Sequence, residues 1–258
     1  MPAVKMPAKL SRRERAKATQ WRIVRSAYSL FCARGYAGTA MAEIAEAAGV
    51  AVQTVYFTFH TKSALLSRAY DFAVMGADEP LDPDKQPWFG AMAAEPHVSK
   101  ALRHFVTGVG EITRRVTPLY LVARAAADGD PDTARVMAFH ERGRAEGYGE
   151  VLQLLCAKAE LRPGLTSERA TDLLLLFVGM DVYHVLVGGH GWSHEEWADW
   201  TVQTVGEQIF GLSIASDAAR SRRFARGRRQ TSSRTPSSIS RGGSLNPAES
   251  QGLALKGA

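Results

Sequence analysis

MAEIAEAAGVAVQTVYFTFH, residues 41–60, is the stretch that decides how this chain folds. An apolar start leads to Ala45, a side chain small enough to let two helix backbones cross closely. Gly49 follows four residues on, where glycine can end a helix at positive φ with little steric cost and reverse the chain. Val50 then plugs the corner. Val55 and Phe59 lie four apart, so on a second helix both point back to the core. The opposite face carries Gln53, Thr54, Tyr56, Phe57 and Thr58, which are hydrogen-bonding or flat side chains with no carboxylate to repel phosphate. That is the composition of a helix that reads a DNA major groove. The same Ala-Gly-Val corner also serves ordinary helical hairpins, so the flanks must arbitrate.

Upstream, Trp21, Val24, Ala27, Tyr28 and Phe31 recur at three- and four-residue intervals, with Arg22, Arg25 and Arg34 off the stripe. This predicts an amphipathic helix closed by Arg34-Gly35-Tyr36, a cation in the last turn followed by a glycine. Downstream, Lys62 opens a further helix, Ser63 to Tyr70, with its ammonium placed to sit beside a phosphate.

The run IVRSAYSLFCARGYAGTAMAEIAEAAGVAVQTVYFTFHTKSALL, Ile23 to Leu66, resembles the N-terminal domain of the TetR family of transcriptional repressors. Ala27, Phe31, Gly35-Tyr36, Thr39, Ile44-Ala45, Ala48-Gly49-Val50, Val55-Tyr56, Phe59, Lys62 and Leu65 stand in the family's register without gaps. The resemblance implies an all-α protein with a three-helix DNA-binding domain, a larger helical ligand-binding and dimerisation domain, a homodimer, and repression relieved by a small molecule. It also implies that Thr54, Tyr56, Thr58 and Lys62 touch phosphates, while Gln53, Phe57 and Val52 approach base edges. Two departures stand out. Ala40 and Ala51 replace the family's frequent Ser or Thr, removing hydroxyls that cap a helix or reach a phosphate, at a typical cost of about 1 kcal/mol each. Thr39 is the residue expected to take over the first role and to join the DNA contacts. The recognition helix also lacks the frequent basic residue near its start, and Gln53 favours adenine.

The net charge of +6 conceals a partition. Residues 1–70 carry 11 basic and 3 acidic side chains, residues 71–212 carry 12 and 21, and residues 213–258 carry 9 and 2. A basic head bearing the motif is the electrostatic footprint of phosphate binding, and the acidic middle is expected to face away from DNA. Cys32 and Cys156 have no CxxC spacing, so neither a disulfide framework nor a zinc site is indicated. No run approaches the roughly 20 apolar residues of a membrane span, and no signal-peptide pattern precedes the helices, so the expectation is a cytoplasmic protein without a membrane partner.

Residues 1–11 read as a flexible basic arm, 12–77 as the helix-turn-helix domain with its connecting helix, 78–212 as the second domain, and 213–258, with SRRFARGRR at 221–229, as a disordered basic tail. DEPLDPDKQPWFGAMAA, residues 78–94, reads as a linker or loop anchored by Trp88 and Phe89. Helical patterns follow at about 96–116, 118–128 and 131–159, the last weakened by Gly143, Gly147 and Gly149. LLLLFVGMDVYHVLV within 167–187 is apolar nearly all round, more than one monomer readily covers. A capping box, Ser193 to Glu196, starts another helix with Trp197, Trp200, Val205, Ile209 and Phe210 on its apolar side. These two segments, about 167–187 and 194–212, are the expected homodimer interface; an ordinary intramolecular core is the plainer reading.

No catalytic residue, metal site or cofactor is expected. His184, His190 and His194 lie near Asp181 and Glu195, but a loop and a helix cap separate His190 from His194, so they do not share a helix face as paired zinc ligands do. Gly188-Gly189-His190-Gly191 follows no strand and is no dinucleotide fingerprint. Tyr120, Phe139, His140, Tyr148, Phe177, Tyr183 and His184 are candidates to line a ligand pocket, although aromatics at helical spacing also serve as plain core. The leading expectation is a ligand-responsive repressor on a near-palindromic DNA operator. Its rival is a small helical enzyme or binding protein with an incidental helix-turn-helix.

Overall fold

The computed structural model describes residues 11–76 and 81–212. The expected basic arm and basic tail lie almost wholly outside these residues. Among the described residues every regular element is helical. Four helices form the N-terminal part: α1 (Arg12–Arg34), α2 (Met41–Ala48), α3 (Val52–Phe59) and α4 (Lys62–Met75). A 3₁₀ turn (Pro83–Lys85) leads to α5 (Pro87–Ala94), α6 (Val98–Ala127), α7 (Pro131–Cys156), α8 (Ser167–Phe177), α9 (Met180–Tyr183), a π-helical turn (His184–Gly189) and α10 (His194–Phe210).

Helix α1 starts where a capping box closes it: Glu14 N–H donates to Ser11 Oγ, and Ser11 N–H donates to the Glu14 carboxylate. It buries Ile23, Val24, Ala27 and Phe31 against α2 and α4 and ends at Gly35 with φ 77°. The corner after α2 turns as the spacing predicts. Gly49 stands at φ 64°, ψ 44°, a left-handed conformation open to glycine, and the Val50 N–H returns to the Ala45 carbonyl at 3.0 Å. Ala45, Val55 and Phe59 are buried.

Five expectations are corrected. Residues 81–94 form a 3₁₀ turn and a helix rather than a loop, because Pro87 sits at the first helical position, where its fixed φ and missing N–H are no handicap. Its Trp88 packs on Phe105 in a space that only Gly108 leaves open, since a Cβ there would fall inside the indole ring. The patterns at 96–116 and 118–128 are one helix of 30 residues that continues through Pro118. The glycines of 131–159 do not break α7, which ends at Cys156.

The apolar segment 167–187 is not one regular α-helix: the chain bends at Gly179 and relaxes into the π turn. Taken together, Ser167–Gly189 is nevertheless long and apolar enough to cross a bilayer by length and composition alone, which corrects the expectation that no run is. Across the bend, Asp181 is the one charged side chain between Leu173 and Gly189. Only 33% of its most apolar window is buried, and Leu176 and Val185 are more than half exposed. Helix α10 begins at the predicted Ser193–Glu196 capping box and packs on α6, with Trp197 fully buried beside Gly110.

Candidate nucleic-acid interface and cavity

The free face of α3 is laid out by its two buried anchors. With Val55 and Phe59 turned inward, Gln53, Tyr56 and Phe57 are exposed, Phe57 at 84% and Tyr56 at 50%. Val52, Thr54 and Thr58 are half-buried at its edges. The Thr58 hydroxyl donates to the Thr54 carbonyl at 2.7 Å, a bond along its own helix. The exposed Phe57 stands with no charged neighbour on its helix.

Two of the residues expected at this face are tied inward. Thr39 is 1% exposed, and its hydroxyl donates to the Gly35 carbonyl at 2.8 Å, so it neither caps α2 nor offers a hydroxyl to a phosphate. Its place as α2's cap is half filled by Glu43, whose carboxylate accepts the Ala40 N–H at 2.8 Å and also pairs with Arg34. The Lys62 ammonium donates to the carbonyls of Tyr36, at 2.9 Å, and Thr39, at 3.2 Å, and sits 4.4 Å from the centre of the Tyr36 ring. It therefore ties the start of α4 to the turn before α2. The spacing could not reveal this, because it depends on a contact across 26 residues.

The cationic groups free to meet phosphate lie elsewhere. Arg12, Arg13, Arg15, Lys17, Arg22 and Arg25 are exposed along α1. The charge count of the head was the signal for them.

Residues 23–69 match the model of the bacterial regulatory proteins of the tetR family. The N-terminal domain is a tetR-family domain. No curated protein matches the chain. Solved structures share its fold, among them NalD of Pseudomonas aeruginosa, the secondary repressor of a multidrug efflux pump, at 17% identity and TM-score 0.57 over 76% of this chain and 98% of that one. A putative transcriptional regulator from Saccharomonospora viridis in complex with choline aligns at 15% identity and TM-score 0.56 over 75% and 98% of the two chains. The regulator FadR of Bacillus subtilis in complex with stearoyl-CoA aligns at 14% and TM-score 0.55 over 73% and 98%. The tetR-family domain is thus followed by a helical region with the fold of such regulators.

Behind that domain, α4, α5, α6 and α7 enclose a cavity of about 680 Å³. Of the seven residues expected to line a pocket, Phe139, His140 and Tyr148 do. Tyr120, Phe177, Tyr183 and His184 do not. The Tyr120 hydroxyl lies one turn beyond the cavity residue Val116 and donates to Asp181 at 2.8 Å. Phe177 packs edge-on to Trp200, Tyr183 meets Trp197 and lies 3.1 Å from His194 Nδ1, and His184 is exposed on the π turn. The segment that carries Phe177, Tyr183 and His184 contributes only Met180 to the cavity, since α8 packs on α7 and α10 and α9 packs on α6. The wall instead draws on Tyr70, Trp88, Phe89 and Phe105, whose helices could not be paired from sequence. Burial pushes the Tyr148 hydroxyl up to about 12, so it stays protonated.

Helix α4 belongs to both regions. Its Tyr70 stacks on His140 of α7 at 4.6 Å, and Ser67 Oγ lies 3.1 Å from His140 Nε2. At its end, Arg115 of α6 donates to the carbonyls of Ala73 and Val74, and the Tyr28 hydroxyl of α1 donates to the Arg115 carbonyl at 2.8 Å. Among the described residues no group of three or more His, Cys, Asp or Glu is placed to hold a metal ion.

Proposed function

We propose that the chain is a repressor that binds a near-palindromic DNA operator as a homodimer and releases it when a small molecule enters the cavity behind α4. The observation that carries the DNA reading is the uncharged, exposed face of α3 within the tetR-family domain, with Phe57 and Gln53 outermost. Gln53 pairs with an adenine edge and Phe57 meets a thymine methyl, while Tyr56 and the exposed cations of α1 hold phosphates. The seat of dimerisation is the pair of segments at about 167–187 and 194–212. Its support is the apolar surface at Leu176 and Val185 that one monomer leaves uncovered.

Release requires the effector to favour a geometry that cannot set both recognition helices one DNA turn apart, roughly 34–36 Å. Helix α4 is the natural carrier, since it lines the cavity through Arg68, Tyr70 and Asp71 and is pinned to the α2 turn through Lys62. A gel-shift titration on the DNA flanking the chain's own gene tests the reading. Salt-sensitive binding well above that to a scrambled duplex is expected, and binding no better than to the scrambled duplex at every salt concentration overturns it.

A further inference from the structure

The cavity lining is aromatic within and acidic at its edge. Tyr70, Phe105 and Tyr148 are buried and Trp88 half-buried, whereas Glu146 and Glu150 are exposed one turn apart on α7. Six carboxylates line it against three guanidinium groups. Two of the three arginines are already matched: Arg68 holds Asp71 at 2.8 Å, and Arg144 holds Glu141 at 2.7 Å and the Leu175 carbonyl at 3.0 Å. Neither offers an unmatched positive charge to a ligand. Glu146 and Glu150 have no ion-pair partner among the described residues. Beside them, Gly143 and Gly147 line the same wall, and a Cβ at either meets nothing within 4 Å. The glycines widen the chamber next to the carboxylates.

Carboxylates at the mouth of an apolar-walled cleft focus a negative potential inward and concentrate cations there. Aromatic faces attract the same charge through their quadrupoles. A carboxylate or phosphate ligand meets repulsion from Glu146 and Glu150 that Arg142, exposed on α7, is alone in opposing. The volume suits a drug-sized molecule.

We propose that this cavity takes a planar aromatic cation, with its rings among Trp88, Phe105 and Tyr148 and its positive charge toward Glu146 and Glu150. The proposal rests on reading the cavity as the effector site and names the chemistry of the effector.

Two xanthene dyes of like shape and opposite charge test it, rhodamine 123 as the cation and fluorescein as the anion, each followed by fluorescence anisotropy with the full chain free of DNA. Rhodamine 123 is expected to bind at least about tenfold more tightly than fluorescein. The double variant Glu146→Gln, Glu150→Gln should weaken rhodamine 123 about tenfold, since two partly exposed charge contacts are lost. Gly147→Leu extends a side chain into the chamber from a half-buried position where a Cβ meets nothing within 4 Å, and it improves helix propensity, so it should fold and abolish binding of the cation. Equal or tighter binding of fluorescein overturns the proposal, as does rhodamine 123 binding that survives Gly147→Leu, which places the dye on the acidic surface. If Gly147→Leu does not fold, the glutamine pair decides alone: unchanged affinity overturns the proposal. Gel shifts with rhodamine 123 are read separately. Selective cation binding that leaves DNA affinity unchanged removes the regulatory reading and keeps the ligand class, whereas failure of the cation alongside DNA release by another compound does the reverse.

Discussion

Replacing Lys62 by methionine removes the ammonium and keeps most of the aliphatic stem. The ammonium gives up two hydrogen bonds, to the Tyr36 carbonyl at 2.9 Å and the Thr39 carbonyl at 3.2 Å, and its place over the Tyr36 ring. Buried hydrogen bonds to a charged group contribute roughly 1.5–3 kcal/mol each, but this side chain is half-exposed, so about 1 kcal/mol each is the fair figure. The ring contact adds about 0.5 kcal/mol. A loss of about 2–3 kcal/mol lowers the melting temperature of a chain this size by roughly 4–12 °C, read by far-UV circular dichroism of the full chain. DNA affinity should fall by a similar factor on all sequences, because the turn that seats α2 loosens, and its salt dependence should stay as in the parent. An unchanged melting temperature together with a salt slope smaller by about one unit would refute the reasoning, since that is the signature of a lost phosphate contact.

Phe57→Ala should leave stability within about 0.5 kcal/mol, because the ring touches little of the protein, yet weaken binding to the preferred duplex; a large fall in melting temperature would contradict this exposed placement. Gln53→Ala should relax base preference at one position per half-site by about 1–3 kcal/mol, measured by competition among single-base operator variants. His60 holds φ 61° at the junction of α3 and α4, so His60→Gly should stabilise the chain by about 1 kcal/mol in urea titration, whereas His60→Val should destabilise it. Burial lowers the pKa of His140 below its ordinary 6.5, which means the unfolded chain binds its proton more readily than the folded one. Stability should therefore fall as pH drops below about 6.5 and level off below the folded value, and His140→Phe should flatten that slope relative to the parent.

What could be read from sequence follows the range of the forces involved. The α2–α3 corner was legible because glycine, small-residue and apolar positions act within a few residues, and Gly49, Val55 and Phe59 stand as their spacing requires. The capping box of α10 was legible for the same reason. That Lys62 and Thr39 turn inward was not legible, because a cation or a hydroxyl at a helix start looks the same whether it faces solvent or a carbonyl many residues away. Aromatic spacing found Phe139, His140 and Tyr148 but not their companions, since periodicity marks a face of one helix and a cavity is made by several. Pro87 misled because proline ends helices and also begins them.

Selection of bound duplexes from a random library by the full chain, sequenced after several rounds, tests the central claim most directly. The account predicts enrichment of a near-palindrome whose half-sites lie about 10 base pairs apart centre to centre, or a multiple of that, with adenine–thymine pairs where Gln53 and Phe57 reach and with the enrichment lost in Phe57→Ala. A library that emerges unenriched, or a sequence bound equally well by Phe57→Ala, would contradict it.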